Sequence, residues 1–319
     1  MPAQAETLQK PKVGSLLRPY GVPAWRVARR VYDSAMADDI FGRAAQLAYY
    51  FFFAMFPGLI FVSAIFGLLA GAGSRIGATT MDYLGRVLPS SASALVGSTL
   101  SQTVHASGAG KITLGILVAL WSATCGMAGA QDGLNAVYKV KEERPIWKAR
   151  GIALLLTVLV SLLSMMALTV LFYGGELAEL IHSHLHWAPV LLIPLKVVMW
   201  VAALFLLSMV FAVTYYGAPD VKQAKWHWIT PGSAVGVVLW IVGSMGLKVY
   251  LHYFNSYSVM YGSLGAVIIL LTWFYLTGLV LLAGAELNAI VESIAAEHGH
   301  PDAKQQGNKL PEREERAAS

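Results

Sequence analysis

Long apolar blocks alternate with short polar ones along this chain. Six blocks stand out: Ala44–Ala70, Ile112–Ala130, Ile152–Tyr173, Val190–Val213, Ile229–Leu251 and Ser263–Ala285. Each is close to the roughly 20 residues a helix needs to cross the hydrocarbon of a bilayer. Lipid offers a backbone no hydrogen-bond partner, so a spanning segment closes its bonds internally as a helix or sideways in a barrel. The blocks lack the in–out alternation of barrel strands. The pattern therefore predicts an all-α, polytopic integral membrane protein with six transmembrane helices.

The polar blocks refine this picture. Pro23–Met36 has helical periodicity, with proline at its start. Trp25, Ala28, Tyr32, Ala35 and Met36 fall near one face; Arg26, Arg29, Arg30 and Asp33 fall on the other. This predicts an N-terminal interfacial amphipathic helix, its apolar side in lipid and its basic side on anionic headgroups. An ordinary surface helix is the alternative. The outer loop Ser90–His105 also has helical spacing, in Leu95, Val96, Thr99, Leu100 and Val104. The expected organisation is a cytoplasmic tail over 1–22, the interfacial helix over 23–42, a six-helix membrane domain over 43–290, and a polar, disordered cytoplasmic tail over 291–319.

Composition narrows the class. The 319 residues are 56% hydrophobic and 13% charged, against about 25% charged in a typical soluble domain. One cysteine, Cys125, leaves no internal disulfide framework and no cysteine-based zinc cluster. The 23 lysines and arginines set the orientation. Eighteen fall before the first block, in the second-to-third and fourth-to-fifth connections, and in the tail. Only Arg75, Arg86 and Lys111 fall on the other side. By the positive-inside rule both termini are expected in the cytoplasm. The basic excess is juxtamembrane, so the expected partners are anionic lipid headgroups and not nucleic acid. Oligomeric state stays open.

Ionisable residues inside spans are costly and are candidates for function. Arg43 and Gln46 open the first span, Asp132 and Asn135 close the second, and Glu286 and Asn288 close the sixth, all at the cytoplasmic level. One cation and two acids at one depth predict a buried, ion-paired network, with Arg43 in reach of Asp132 or Glu286. The same groups would otherwise simply clamp helix ends together. At the outer level Lys196 and Lys248 lie within the fourth and fifth spans. They are candidate contacts for an anion, or else they snorkel to the interface. His182, His184 and His186 alternate in an expected outer loop, where no scaffold supports metal binding. Gly232, Gly236, Gly243 and Gly246 place small residues along the fifth helix for close approach. No phosphate-cradling loop and no nucleophile elbow occurs, so no ATP-driven motor is encoded, and neither cofactor nor metal is expected.

Five segments together resemble the YihY/BrkB family of bacterial inner-membrane proteins. They are Arg43–Pro57, Trp121–Tyr138, Pro231–Gly232 after Trp226, Tyr261–Ala266 and Gly284–Asn288. The resemblance covers nearly the whole of Arg43–Asn288 and implies six membrane helices. The family has carried the labels ribonuclease BN and virulence factor, and the movement of lipid-linked precursors or other anionic amphiphiles is attributed to some relatives. It thus implies a carrier of an anionic or amphiphilic solute, with a non-transporting membrane scaffold as the alternative. A nuclease needs clustered carboxylates or histidines on the aqueous side. The cytoplasmic loops offer Glu142, Glu143 and Asp220, with Asp132 at a helix end, so that activity is not expected.

Overall fold

The computed structural model describes residues 22–69, 109–185, 192–221, 230–253, 263–298 and 307. The described residues form seven helices and no strand: α1 (Ala24–Ala37), α2 (Ile40–Leu69), α3 (Ala109–Val137), α4 (Ile146–Leu185), α5 (Leu192–Gly217), α6 (Pro231–Tyr253) and α7 (Ser263–Glu297). The six apolar blocks fall on α2 to α7, in order. Four of these helices, α4 to α7, are long and apolar enough to cross a membrane; the described apolar part of α2 is Ile40–Phe56. The expected helix in Ser90–His105 lies outside the described residues.

Two boundaries differ from the expectation. The backbone of α4 is helical through Leu185, so Glu176, Glu179, His182 and His184 sit on a helix where a loop was expected. Likewise α7 runs on to Glu297, past the expected domain edge at 290. Both extensions are rich in good helix formers, such as Leu, Glu and Ala.

Each helix from α2 to α7 packs on its sequence neighbour, and α7 packs back on α2, closing a ring. α7 also touches α3 and α1, which makes it the most connected helix. The buried core gathers at the end where α2, α4 and α6 begin and α3, α5 and α7 finish. Leu47, Leu134, Val137, Leu156, Tyr215 and Leu282 lie there. Lipid tails are as apolar as these side chains, so close packing and interhelical hydrogen bonds hold such a ring together. Trp240 on α6 donates to Thr277 Oγ1 on α7 at 3.2 Å. Tyr215 on α5 donates to the Leu281 carbonyl at 3.0 Å.

α1 lies against the end of α7. Val27 of α1 packs with Ile290 and Ile294, joined at its rim by Val31 and Leu287. Trp25, Tyr32 and Met36 of the expected apolar face are exposed, but Ala35 is buried against the protein. The helix thus carries two apolar stripes, and the one through Val27 and Val31 docks it on the bundle.

Candidate functional site

Of the six polar residues predicted to share one level, Arg43 and Glu286 fall in one site and Asn135 in another at the packed end of the ring, while Gln46 and Asn288 are engaged elsewhere and Asp132 is exposed. The first is centred on Glu286 of α7. Its side chain is 0% exposed, and among the described residues neither Oε1 nor Oε2 has a hydrogen-bond partner within ordinary geometry. Ser34, Asp38 and Lys139 are its polar neighbours. Asp38 caps the C-terminus of α1. Its Oδ2 accepts a hydrogen bond from Ser34 Oγ at 3.1 Å and lies 4.0 Å from Lys139 Nζ. The Asp38 carbonyl accepts from Arg43 Nε at 3.0 Å. Tyr138, buried beside Lys139, lies near Glu286, Asn288 and Glu292.

Local backbone geometry builds this pocket. Asp39, at φ 51°, and Lys139, at φ 56°, are the non-glycine residues with left-handed backbone among those described. Each follows a helix end. At α3, the amide of Lys139 donates to the Ala136 carbonyl and that of Val140 to Asn135, the paired bonds of a Schellman cap. Glycine usually fills that position, and a side chain there costs roughly 1 kcal/mol or more. The lysine accepts this strain and brings its ammonium toward Asp38. Asp39 Oδ1 meanwhile accepts from the Gly42 amide at 3.2 Å and caps α2.

The second site ties α3 to α5 through the connection before α4. Arg144 donates to Glu142 from Nε and Nη2, both at 2.6 Å, and from Nη2 to the Ala218 carbonyl at 2.9 Å. Asn135 is buried and bridges the same elements. Its Nδ2 donates to Glu142 Oε2 at 2.9 Å, and its Oδ1 accepts from the Asp220 amide at 2.7 Å. Asp220 Oδ2 accepts from the Glu143 amide at 3.0 Å. The Arg144 guanidinium, helped by Asn135, holds the Glu142 carboxyl below the usual carboxylate range against the opposing effect of burial. Reciprocally, Glu142 raises the Arg144 guanidinium above its usual value.

The predicted ion-paired network is therefore corrected. Arg43 makes no ion pair within 4.0 Å of Asp132 or Glu286; its guanidinium is turned to the open carbonyl at the end of α1. Asp132 is exposed on α3, as is Gln46 on α2, and Gln46 Nε2 donates to Tyr50 Oη at 3.1 Å within its own helix. Asn288 serves α6: its Oδ1 accepts from the Gly232 amide at 2.7 Å and its Nδ2 donates to Thr230 Oγ1 at 3.0 Å. Lys196 and Lys248 are both exposed, near the start of α5 and the end of α6, away from the Glu286 pocket along the ring.

Sequence reasoning missed Ser34, Asp38 and Lys139 as neighbours of Glu286, and Arg144 as the centre of the second site. A usable signal was present for Asp38 and for Arg144. Asp38–Asp39 is an acidic doublet at the break between two helical patterns, and Glu142–Pro145 places charges directly before a proline-started helix.

Residues 31–308 match the family model described as Virulence factor BrkB. YfkH of Bacillus subtilis (strain 168), whose name carries the label ribonuclease-like, is 32% identical over 252 residues, covering 78% of this chain and 89% of that protein. A UPF0761 membrane protein of Pseudoalteromonas atlantica is 25% identical over 83% of this chain and 85% of its own. The UPF0761 membrane protein PSHAa0171 of Pseudoalteromonas translucida is 24% identical over 88% of this chain and 90% of its own. No solved structure matches. With a family match that spans most of the chain and runs of apolar helix long enough to cross a bilayer, the chain is an integral membrane protein and belongs to the Virulence factor BrkB (YihY/BrkB) family.

Proposed function

We propose that this protein is a carrier for an anionic or amphiphilic, lipid-linked solute, working in the bacterial inner membrane without an ATPase of its own. In this reading α2 to α7 cross the membrane six times, with both termini cytoplasmic, and α1 lies in the cytoplasmic interface. The observation that carries it is Glu286, a fully buried carboxyl on a membrane helix with neither oxygen hydrogen-bonded among the described residues. A residue kept only to join helices would be satisfied by the helix it joins. An ionisable group left unsatisfied at that depth is costly, and such residues mark solute or ion pathways. Lys196 and Lys248, at the opposite level, are the candidate contacts for an anionic headgroup. Trp25 and Tyr32 on the exposed side of α1, with Arg26, Arg29 and Arg30 beside them, suit contact with anionic lipid.

Two other readings differ in support. A non-transporting scaffold is favoured by the Arg144 site, where Arg144 and Asn135 tie the connections together. A nuclease is disfavoured by that site, because Glu142 and Asp220 are held by Arg144, Asn135 and backbone amides. The test is reconstitution. Purified protein in proteoliposomes is expected to move fluorescently labelled anionic lipid between leaflets. Changing Lys196 and Lys248 together to Gln is expected to slow that movement at unchanged protein content. Equal movement in wild type and double variant removes the lysines from the mechanism, and no movement by wild type favours the scaffold.

A further inference from the structure

The charges around Glu286 do not balance within the pocket. Lys139 sits 4.0 Å from Asp38, and Arg43 is engaged with the Asp38 backbone. Neither cation makes an ion pair with Glu286. A buried carboxylate with no ion pair and no hydrogen bond of ordinary geometry among the described residues is strongly disfavoured, and a carboxyl group neutralises itself by taking a proton. Its route to water is also in place. Asp38 lies beside Glu286 with a side chain 13% exposed, and Lys139 beyond it is 43% exposed.

We propose that Glu286 and Asp38 form a binding site for one exchangeable proton, and that its release loosens the docking of α1 on α7. The proton leaves the Glu286 carboxyl for an Asp38 carboxylate oxygen and passes from there to cytoplasmic water. Glu286 and Asp38 are then both anionic, on opposite sides of the α1–α7 contact, and repel one another. Asp38 closes α1, and the turn through Asp39 joins it to α2. Repulsion at that corner therefore acts directly on the Val27–Ile290–Ile294 packing. The charged and titratable groups facing the pocket are Asp38 from the α1 end, Tyr138 and Lys139 from the α3 end, Arg43 from α2, and Glu292 further along α7. A metal cation fits less well, because the Lys139 ammonium already holds the outer side of Asp38. The proton site stands whether or not a solute is carried; only its use as a coupling ion rests on the carrier reading.

The experiment uses the full-length protein in lipid nanodiscs. Infrared difference spectra across a pH titration are expected to show a protonated-carboxyl stretch that disappears as pH rises and is absent in Glu286→Gln. Amide hydrogen exchange of α1, corrected for the intrinsic pH dependence, is expected to step upward over the same pH range in wild type. Asp38→Asn keeps the infrared band but loses the α1 step, because one of the two like charges is gone. Glu286→Gln loses both. The inference is overturned if the wild-type band is unchanged in Glu286→Gln, or if the α1 step survives in both variants. Lipid movement, measured separately, judges the carrier reading alone.

Discussion

Gly232 and Gly284 meet backbone to backbone, α6 against α7. A Cβ on Gly232 would overlap the Gly284 carbonyl oxygen and stand 2.6 Å from Asn288 Cγ. One on Gly284 would overlap the Tyr215 hydroxyl. Alanine at position 232 must therefore push the helices apart and break the Asn288 bond to the Gly232 amide. The expected loss is about 2 kcal/mol, as for other overpacked sites. Gly243, on the same helix, has open space around it, so Gly243→Ala should be neutral or stabilising by a few tenths to about 1 kcal/mol. Thermal denaturation in detergent, followed by size-exclusion chromatography, checks the contrast. Equal midpoints for the two variants would remove the close approach.

The difference between these two glycines shows where sequence reading stopped. The four small residues were visible as a stripe, but which of them faced a neighbour depended on the azimuth of α6. Helix existence was legible because lipid demands long apolar runs, and among the described residues each of the six runs falls on a helix. Depth was legible too: Arg43, Asn135, Glu286 and Asn288 do gather at one end of the ring. Azimuth was not. Asp132 and Asn135 are three residues apart, about 60° around the helix. That is enough to leave one exposed and the other buried. Partnership also failed where short connections decide it. Lys139 reaches Asp38 only through a left-handed residue that a helical-face argument does not contain.

Arg144 makes a second contrast. Its side chain is 11% exposed, and its removal leaves Glu142 and the Ala218 carbonyl without their shared donor and Asp220 without the cation 3.8 Å away. Arg144→Ala is expected to cost about 1–3 kcal/mol. Lysine should rescue only part of that, because a point charge cannot reproduce the two-atom grip. Acid should expose the same interaction. The Glu142 carboxyl is held below its unfolded value, so its contribution is complete above the ordinary carboxylate range and is lost as pH falls through the depressed folded value. Wild type should therefore lose more stability than Glu142→Gln between neutral pH and the acid end of that range. Parallel acid profiles would mean the ion pair contributes nothing.

Glu286 should be more tolerant of an amide than of truncation. Glutamine keeps the volume of a side chain that is 0% exposed, whereas alanine opens a cavity; large-to-small changes at such positions cost about 2–5 kcal/mol. Glu286→Ala is expected to lower membrane abundance well below that of Glu286→Gln. It should also fall below Glu297→Ala, since Glu297 meets Arg30 in an exposed pair at 3.0 Å worth under about 1 kcal/mol. Immunoblots of isolated membranes rank the three, and Glu297→Ala falling lowest would contradict the assignment.

Orientation can be checked without purifying anything. Eighteen of the 23 lysines and arginines lie on the side proposed to be cytoplasmic, against three on the other. The Arg144 site belongs to that first side, in the connection between α3 and α4, while Leu185 ends α4 at the opposite level. Positive residues are retained on the cytoplasmic side during insertion. Alkaline phosphatase folds to activity only once exported. Fused after Leu185 it is expected to be active, and fused after Glu143 inactive. A cytoplasmic reporter at the same two points should give the opposite pattern. Because α4 separates the points by one crossing, activity at both would argue that α4 does not span. A full reversal would place both termini outside and move α1, with Arg26, Arg29 and Arg30, away from the anionic leaflet its composition fits.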